Sequence, residues 1–211
     1  MPLVLASASP RRAEILTALG IPFTVVATDI DETVAPGESG RAAASRLAAE
    51  KAAASAALSP GDWVLAADTL VLLDDAILGK PRDGTDARGM LRRLSGREHK
   101  VVTAVRLTRA SGPGLEAIEE SRVRIAPLDE EEIRWYVSTG EPLDKAGAYA
   151  VQGLGARFVE SVEGSFTNVM GLPARSVYRL LREAPDPALV RLALSSAPSS
   201  SRTSGNPLRR V

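Results

Sequence analysis

The sequence predicts an α/β fold with a mixed sheet. Two observations lead there. In the first half of the chain, short apolar runs of strand length alternate with segments of helical periodicity. Further on, His99 to Arg109 and Ala117 to Ile125 read as an antiparallel strand pair, joined by a loop with Gly112, Pro113 and Gly114.

Taken in order, Pro2 to Ala6 is a short buried strand. Ser9 stands as the N-cap of a helix with Pro10 at its first position, where a missing N–H costs nothing. Ile15, Leu16 and Leu19 make that helix's apolar stripe, and Gly20 ends it. Pro22 to Ala27 is a second strand, followed by the polar loop Thr28-Asp29-Ile30-Asp31-Glu32-Thr33, which runs on to Pro36-Gly37. Ser39 opens a long alanine-rich helix that closes near Leu58, ahead of Pro60-Gly61. Trp63 to Leu73 is an apolar, β-branched run broken only by Asp68-Thr69. Asp74-Asp75 then turns the chain toward Ile77-Leu78-Gly79-Lys80-Pro81.

Thr85 to Leu94 reads as a helix with Met90, Leu91 and Leu94 inward. After the strand pair, Asp129 and Glu132 spell a capping box ahead of Ile133, Tyr136 and Val137, and Gly140 stops that helix. A glycine-containing stretch covers Lys145 to Gly155, then a strand Arg157 to Val162. The last helix starts at Pro173, carries Val177, Leu180 and Leu181, and stops before Pro185. These elements predict a domain over 1–184. Residues 185–211, rich in proline and serine and without an aromatic, read as a disordered tail.

Composition narrows the chemistry. The 211 residues hold 26 basic and 26 acidic side chains, so net charge is zero and bulk nucleic-acid binding is not expected. Only Lys51, Lys80, Lys100 and Lys145 are lysines; the other 22 basic residues are arginines. There is no cysteine, which excludes disulfides, thiolate metal sites and cysteine nucleophiles. His99 is the single histidine, so a multi-histidine metal site is excluded too. A metal would be held by oxygens, which points to Mg²⁺ or Mn²⁺. No basic leader precedes a long apolar run, and no apolar run approaches the ~20 residues of a membrane helix. The expectation is a cytoplasmic protein with no membrane partner.

Several residues look chemical, each with a plainer reading beside it. Ser7-Ala8-Ser9-Pro10-Arg11-Arg12 joins a strand to a helix, where free amides, hydroxyls and guanidiniums attract an anion, or where a capped helix carries two surface arginines. Asp68 breaks an apolar run, and a carboxylate there must be paired, bind metal, or reach water at a bulge. Lys51 shares a helical face with Ala44, Leu47, Ala54 and Leu58, so it meets an anion or snorkels to solvent. Glu32, near Asp29 and Asp31, suits a divalent cation or a solvated loop. Lys80 before Pro81 is a point charge or a surface turn. Gln152 among small residues reads a base edge through its amide or occupies a turn. Together these suit hydrolysis of a phosphorylated small molecule.

Leu5-Ala6-Ser7-Ala8-Ser9-Pro10-Arg11-Arg12, Asp29-Ile30-Asp31-Glu32, Ala67-Asp68-Thr69, Leu78-Gly79-Lys80-Pro81, Asp144-Lys145-Ala146-Gly147 and Gly171-Leu172-Pro173 resemble the Maf family. The resemblance covers roughly residues 3–183. It implies an inosine triphosphatase-like fold, with an elongated mixed sheet, flanking helices, two lobes and a central cleft. It implies a nucleoside triphosphate pyrophosphatase that releases NMP and pyrophosphate with a divalent metal (Mg²⁺ or Mn²⁺), linked to house-cleaning and septum formation, with a homodimer as the assembly it suggests.

By the same resemblance Asp68 is the general base, with Glu32 at the metal and Arg12, Lys51, Lys80, Ser7 and Ser9 on the triphosphate. Free aspartate, with a pKa of ~3.9, is a weak base near neutrality, so Asp68 as a metal ligand stays equally open. Arg11, Thr69 and Gln152 match the specificity positions of the dTTP/UTP branch; a 7-methyl-GTP branch tends to carry Trp, Gln and Glu there. Ala148 and Ala150 depart from the family, where glycine is frequent. The competing readings are that second branch and a non-catalytic nucleotide-binding regulator of division.

Overall fold

A computed structural model describes residues 3–110, 112 and 114–194. Strands β1 (Leu3–Leu5), β2 (Phe23–Val25), β3 (Trp63–Leu73), β4 (Ala76–Leu78), β5 (Glu98–Thr108), β6 (Leu115–Ile125) and β7 (Val159–Glu163) form one seven-stranded sheet. Its order is β2-β1-β3-β5-β6-β7, with β4 folded back on β3. Strands β2, β1 and β3 run parallel, while β3, β5, β6 and β7 are antiparallel in turn. The mixed sheet follows from the connections: helical crossovers give parallel neighbours, and a short loop gives the β5–β6 hairpin.

Helices α1 (Pro10–Ala18), α2 (Gly40–Leu58), α3 (Gly84–Leu94), α4 (Glu130–Ser138), α5 (Phe166–Val169), α6 (Ala174–Glu183) and α7 (Pro187–Ala193) flank it. Side chains alternate along β3. Val64, Ala66 and Leu70 face α2, which packs on them with Ala43, Ala44, Ala48, Ala52 and Ala56. The opposite face is divided. Leu65 and Ala67 pack with Leu16, Leu180 and Leu189 in one cluster, whereas Val71 and Leu73 pack with Leu91, Ile133 and Tyr149 in another. Between them Thr69 and Thr103 stand in register, sharing a hydroxyl–hydroxyl hydrogen bond of 3.0 Å. A polar seam thus separates two apolar lobes on one continuous sheet.

The edge of β3 opposite β5 is only partly covered. β1 pairs with Trp63–Leu65 and β4 with Val71–Leu73, so residues 66–70 have no strand beside them. Asp68 and Thr69 lie in that opening. The register with β5 runs unbroken through Asp68↔Ala104 and Thr69↔Thr103, so Asp68 sits in a regular strand and at no bulge.

Four sequence expectations are corrected. Leu19 is exposed, because α1 is short and buries only Ile15 and Leu16. Leu58, at the end of α2, is exposed as well. The strand expected from Arg157 starts at Val159; Gly153–Phe158 is held in 3₁₀ turns, with Glu141 accepting from the Leu154 and Gly155 amides. The disorder expected from 185 onward does not hold for the described residues through 194. Asp186 caps α7 by accepting from the Ala188 amide at 2.9 Å, accepts from Trp63 Nε1 at 3.0 Å, and Leu189 is buried. The rest of the expected tail, 195–211, and Pro113 of the expected hairpin loop lie outside the described residues. Helix α5, capped by Ser165, was not expected from the sequence.

Candidate active site

The opening in the β3 edge floors a cavity of about 340 Å³, within the ~300–1,000 Å³ usual for small-molecule sites. Its walls are the β1–α1 loop, Thr28 and Glu32 of the β2–α2 loop, Lys80 after β4, residues 144–151 in part, and 169–171.

Arg12 is pinned at the seam. Its Nε donates to Gly171 O at 2.8 Å, Nη1 to Ser7 Oγ at 3.0 Å and Nη2 to Thr69 Oγ1 at 3.2 Å. Desolvation lowers its pKa, with Asp68 and Glu32 opposing that shift and Arg11 adding to it. Ser7 Oγ accepts from both Arg12 and the Ser9 amide, at 3.0 and 3.2 Å. Both lone pairs are used, so the Ser7 hydroxyl proton is left for a ligand in the cleft. Ser9 caps α1 by position without a side-chain cap bond, and it lines the cavity.

Lys51 does not snorkel. It is 9% exposed, and its Nζ lies 2.6 Å from Asp68 Oδ1 and 2.6 Å from Glu32 Oε1. Helix α2 supplies the lysine from one side and β3 supplies the carboxylate from the other. Burial works to raise the Glu32 carboxyl; the Lys51 hydrogen bond and charge, with Lys80 and Arg12, overcome it and hold Glu32 below the ordinary range. Asp68 is 5% exposed, and its second oxygen, Oδ2, is buried with no hydrogen-bond partner among the described residues. That oxygen is available to a water, a cation or a substrate proton.

Of the other expected residues, Lys80 is exposed at the rim, and Arg11 and Thr69 line the cavity. Gln152 is exposed and outside the lining. The structure adds Asp144, Lys145 and Tyr149. Lys145 pairs with Asp144 and donates to Glu141 O at 3.0 Å. Its rarity in an arginine-dominated chain was a signal; Tyr149 gave none beyond its place among small residues. Ala148 adopts φ 58°, a left-handed conformation costly for alanine and open to glycine.

Among the described residues no group of three or more His, Cys, Asp or Glu side chains converges on a metal position. The donor chemistry still fits a hard cation: Asp68 Oδ2 lacks a partner and Glu32 lies on the same lysine. Mg²⁺ characteristically takes one or two carboxylates, keeps waters, and completes its shell from substrate phosphates.

A mixed α/β sheet whose open strand edge gathers guanidinium, ammonium and buried carboxylate defines a protein with a charged cleft suited to an anion beside a carboxylate. The chain belongs to the Maf family: the family model described as Maf-like protein matches residues 2–184. A dTTP/UTP pyrophosphatase of Anaeromyxobacter dehalogenans (strain 2CP-1 / ATCC BAA-258) is 54% identical over 188 residues, covering 88% of this chain and 95% of that protein. Another, from Myxococcus xanthus (strain DK1622), is 53% identical over 182 residues, 86% of this chain and 92% of its own. Among solved structures, a HAM1 protein from Coxiella burnetii is 20% identical, with 61% of this chain and 74% of that one covered and a TM-score of 0.45.

Proposed function

We propose that this chain is a nucleoside triphosphate pyrophosphatase acting on dTTP and UTP. Water adds its oxygen, the phosphoanhydride bond between the α and β phosphates breaks, and NMP and pyrophosphate leave. The observation that carries the reading is the buried, half-satisfied Asp68 at the open β3 edge, with Lys51, Arg12 and Lys80 around it. The names and coverage of the relatives support the substrate class.

In this reading Lys80, Arg12, Ser7 and Ser9 bind phosphate oxygens, as the preorganised donors such a reaction needs. Lys51 holds the Asp68 carboxylate through Oδ1, which leaves Oδ2 to orient the attacking water. Glu32 and Asp68 would hold a divalent cation, which when bound offsets charge developing on the phosphoryl oxygens. Arg11 and Thr69, both on the cavity wall, contribute to base selection, and Gln152 follows Val151 of that wall in the chain. The cysteine-free sequence suits the reducing cytoplasm.

The test is pyrophosphate release from purified protein with Mn²⁺ and a panel of nucleoside triphosphates. Release from dTTP and UTP is expected. Release from 7-methyl-GTP alone would move the chain to that branch, and binding without release would make it a nucleotide-binding regulator.

A further inference from the structure

The cavity wall carries charged groups, among them Arg12, Lys51, Lys80 and Lys145. It also has an apolar end formed by Val71, Val101 and Tyr149, which share one core cluster. Val71 and Val101 are cross-strand partners, two residues along from the Thr69–Thr103 seam. The apolar end therefore lies roughly 7 Å from the seam along the strand. Tyr149, there, is the one aromatic ring on the cavity wall among the described residues.

That ring is held from behind. Tyr149 Oη is 2.8 Å from His99 Nε2, and the two rings meet edge-on at 82° with centroids 5.2 Å apart. His99 is 2% exposed within β5, and desolvation pushes its pKa down to about 4, so it is a neutral hydrogen-bond partner near pH 7. Its Nδ1 is buried without a partner, so the Tyr149 hydroxyl is its only side-chain bond among the described residues. A lone imidazole is a costly choice for a core unless the one bond it makes is needed.

The backbone carrying the ring is clamped on both sides. Gly147 N donates to Gly79 O at 3.0 Å, next to Lys80. Ala150 N donates to Tyr136 Oη at 3.1 Å, and Tyr136 donates to Glu141 Oε1 at 2.9 Å. Between these anchors Ala148 keeps its left-handed φ of 58°. Strain of this kind persists only where the surroundings over-determine it, and it concentrates at ligand sites.

We propose that Tyr149 is the wall against which the nucleobase lies, and that His99 is a positioning residue that sets the ring. This rests on the pyrophosphatase reading and deepens it. The hydroxyl is engaged with His99, so the ring offers its apolar surface rather than a polar group to the base. A rigid ring is sequence-tolerant by itself, because every base has a π-face; it contributes affinity, and the polar residues around it select.

The test separates base from phosphate. Wild type, His99→Gln, His99→Phe and Tyr149→Phe are titrated with a non-hydrolysable α,β-imido dUTP and, separately, with inorganic tripolyphosphate, both with Mg²⁺. His99→Phe and Tyr149→Phe are expected to weaken the nucleotide by about tenfold, the loss of one buried hydrogen bond, and to leave tripolyphosphate unchanged. His99→Gln keeps a donor and is expected to stay near wild type. In turnover, KM should rise while kcat holds. Nucleotide affinity unchanged in His99→Phe and Tyr149→Phe would overturn the proposal, and so would parallel loss of both ligands, the mark of a merely structural role. Wild-type protein that binds neither ligand would sink the pyrophosphatase reading and this inference together.

Discussion

Lys51 Nζ stands 2.6 Å from Asp68 Oδ1, and the same ammonium stands 2.6 Å from Glu32 Oε1. One cation thus compensates a buried carboxylate and a half-exposed one. It also lies between one oxygen of each of the two carboxylates proposed for a metal.

Replacing Lys51 by Met leaves Asp68 buried without its partner. Removing one member of such a pair costs about 3 kcal/mol or more. Urea unfolding should show that loss for Lys51→Met. Added Mn²⁺ should raise the Tm of the variant more than that of wild type, since ligand binding to the folded state stabilises it and the competing ammonium is gone. An equal shift in both proteins would show that Lys51 does not compete with the metal.

Asp68→Asn keeps the shape and the Lys51 contact but loses the charge. It is expected to lower kcat by at least ~10²-fold, the range for a positioned proton acceptor or oxyanion-type group. Circular dichroism should be unchanged. Near-normal turnover in a pyrophosphate-release assay would remove Asp68 from the chemistry.

His99 predicts a pH dependence. Its pKa is about 4 in the folded chain against 6.5 for the free group, through desolvation. The unfolded chain therefore binds the proton more readily. The contribution is complete above pH 6.5 and is lost as pH falls toward 4, on the order of 3 kcal/mol in all. Glu32 and Glu141 are held below their ordinary 4.5, so their contributions fade only below that value. Between pH 6.5 and about 4.5 the slope belongs to His99, and unfolding curves of His99→Gln should be flatter there.

Two neighbouring substitutions should move stability in opposite directions. Ala148→Gly relieves a left-handed alanine and is expected to gain ~0.5–1 kcal/mol, strain relief less glycine's added chain entropy. Gly147→Ala puts a Cβ at φ 71°, 3.0 Å from Val71 Cγ1, and should lose more than that. Thermal melts of the pair check both signs.

Truncation after Pro185 removes α7 and Leu189, which is 3% exposed in the core beside Leu180. Losing a buried leucine alone costs ~2–5 kcal/mol. The truncated chain should melt well below the full chain, whatever its activity.

Much of the architecture was readable because local rules and packing agreed. Asp129 and Glu132 form the capping box expected of them, and the β5–β6 pair falls where two β-rich runs meet a glycine loop. Asp68 was conspicuous because a charge in an apolar strand demands a reason. The partners were harder to read. Nothing local says that Lys51 faces Asp68 rather than water, since that depends on which strand α2 packs against. Helix α7 hid behind a low-complexity composition, although Asp186-Pro187 is an N-terminal helix signal. Tyr149 was not singled out, because its hydrogen-bond partner, His99, lies 50 positions earlier in the chain.

The uncovered stretch of β3 carries a second meaning. A strand edge without a neighbour is a template on which another chain can pair, and proteins guard such edges with charge. Here the guards are Asp68, Lys51, Glu32 and Arg12, the groups assigned to the substrate. Under the proposed function one set of charges would serve both the substrate and the strand edge. Variants that empty the cleft of charge should lose that guard together with the proposed substrate contacts.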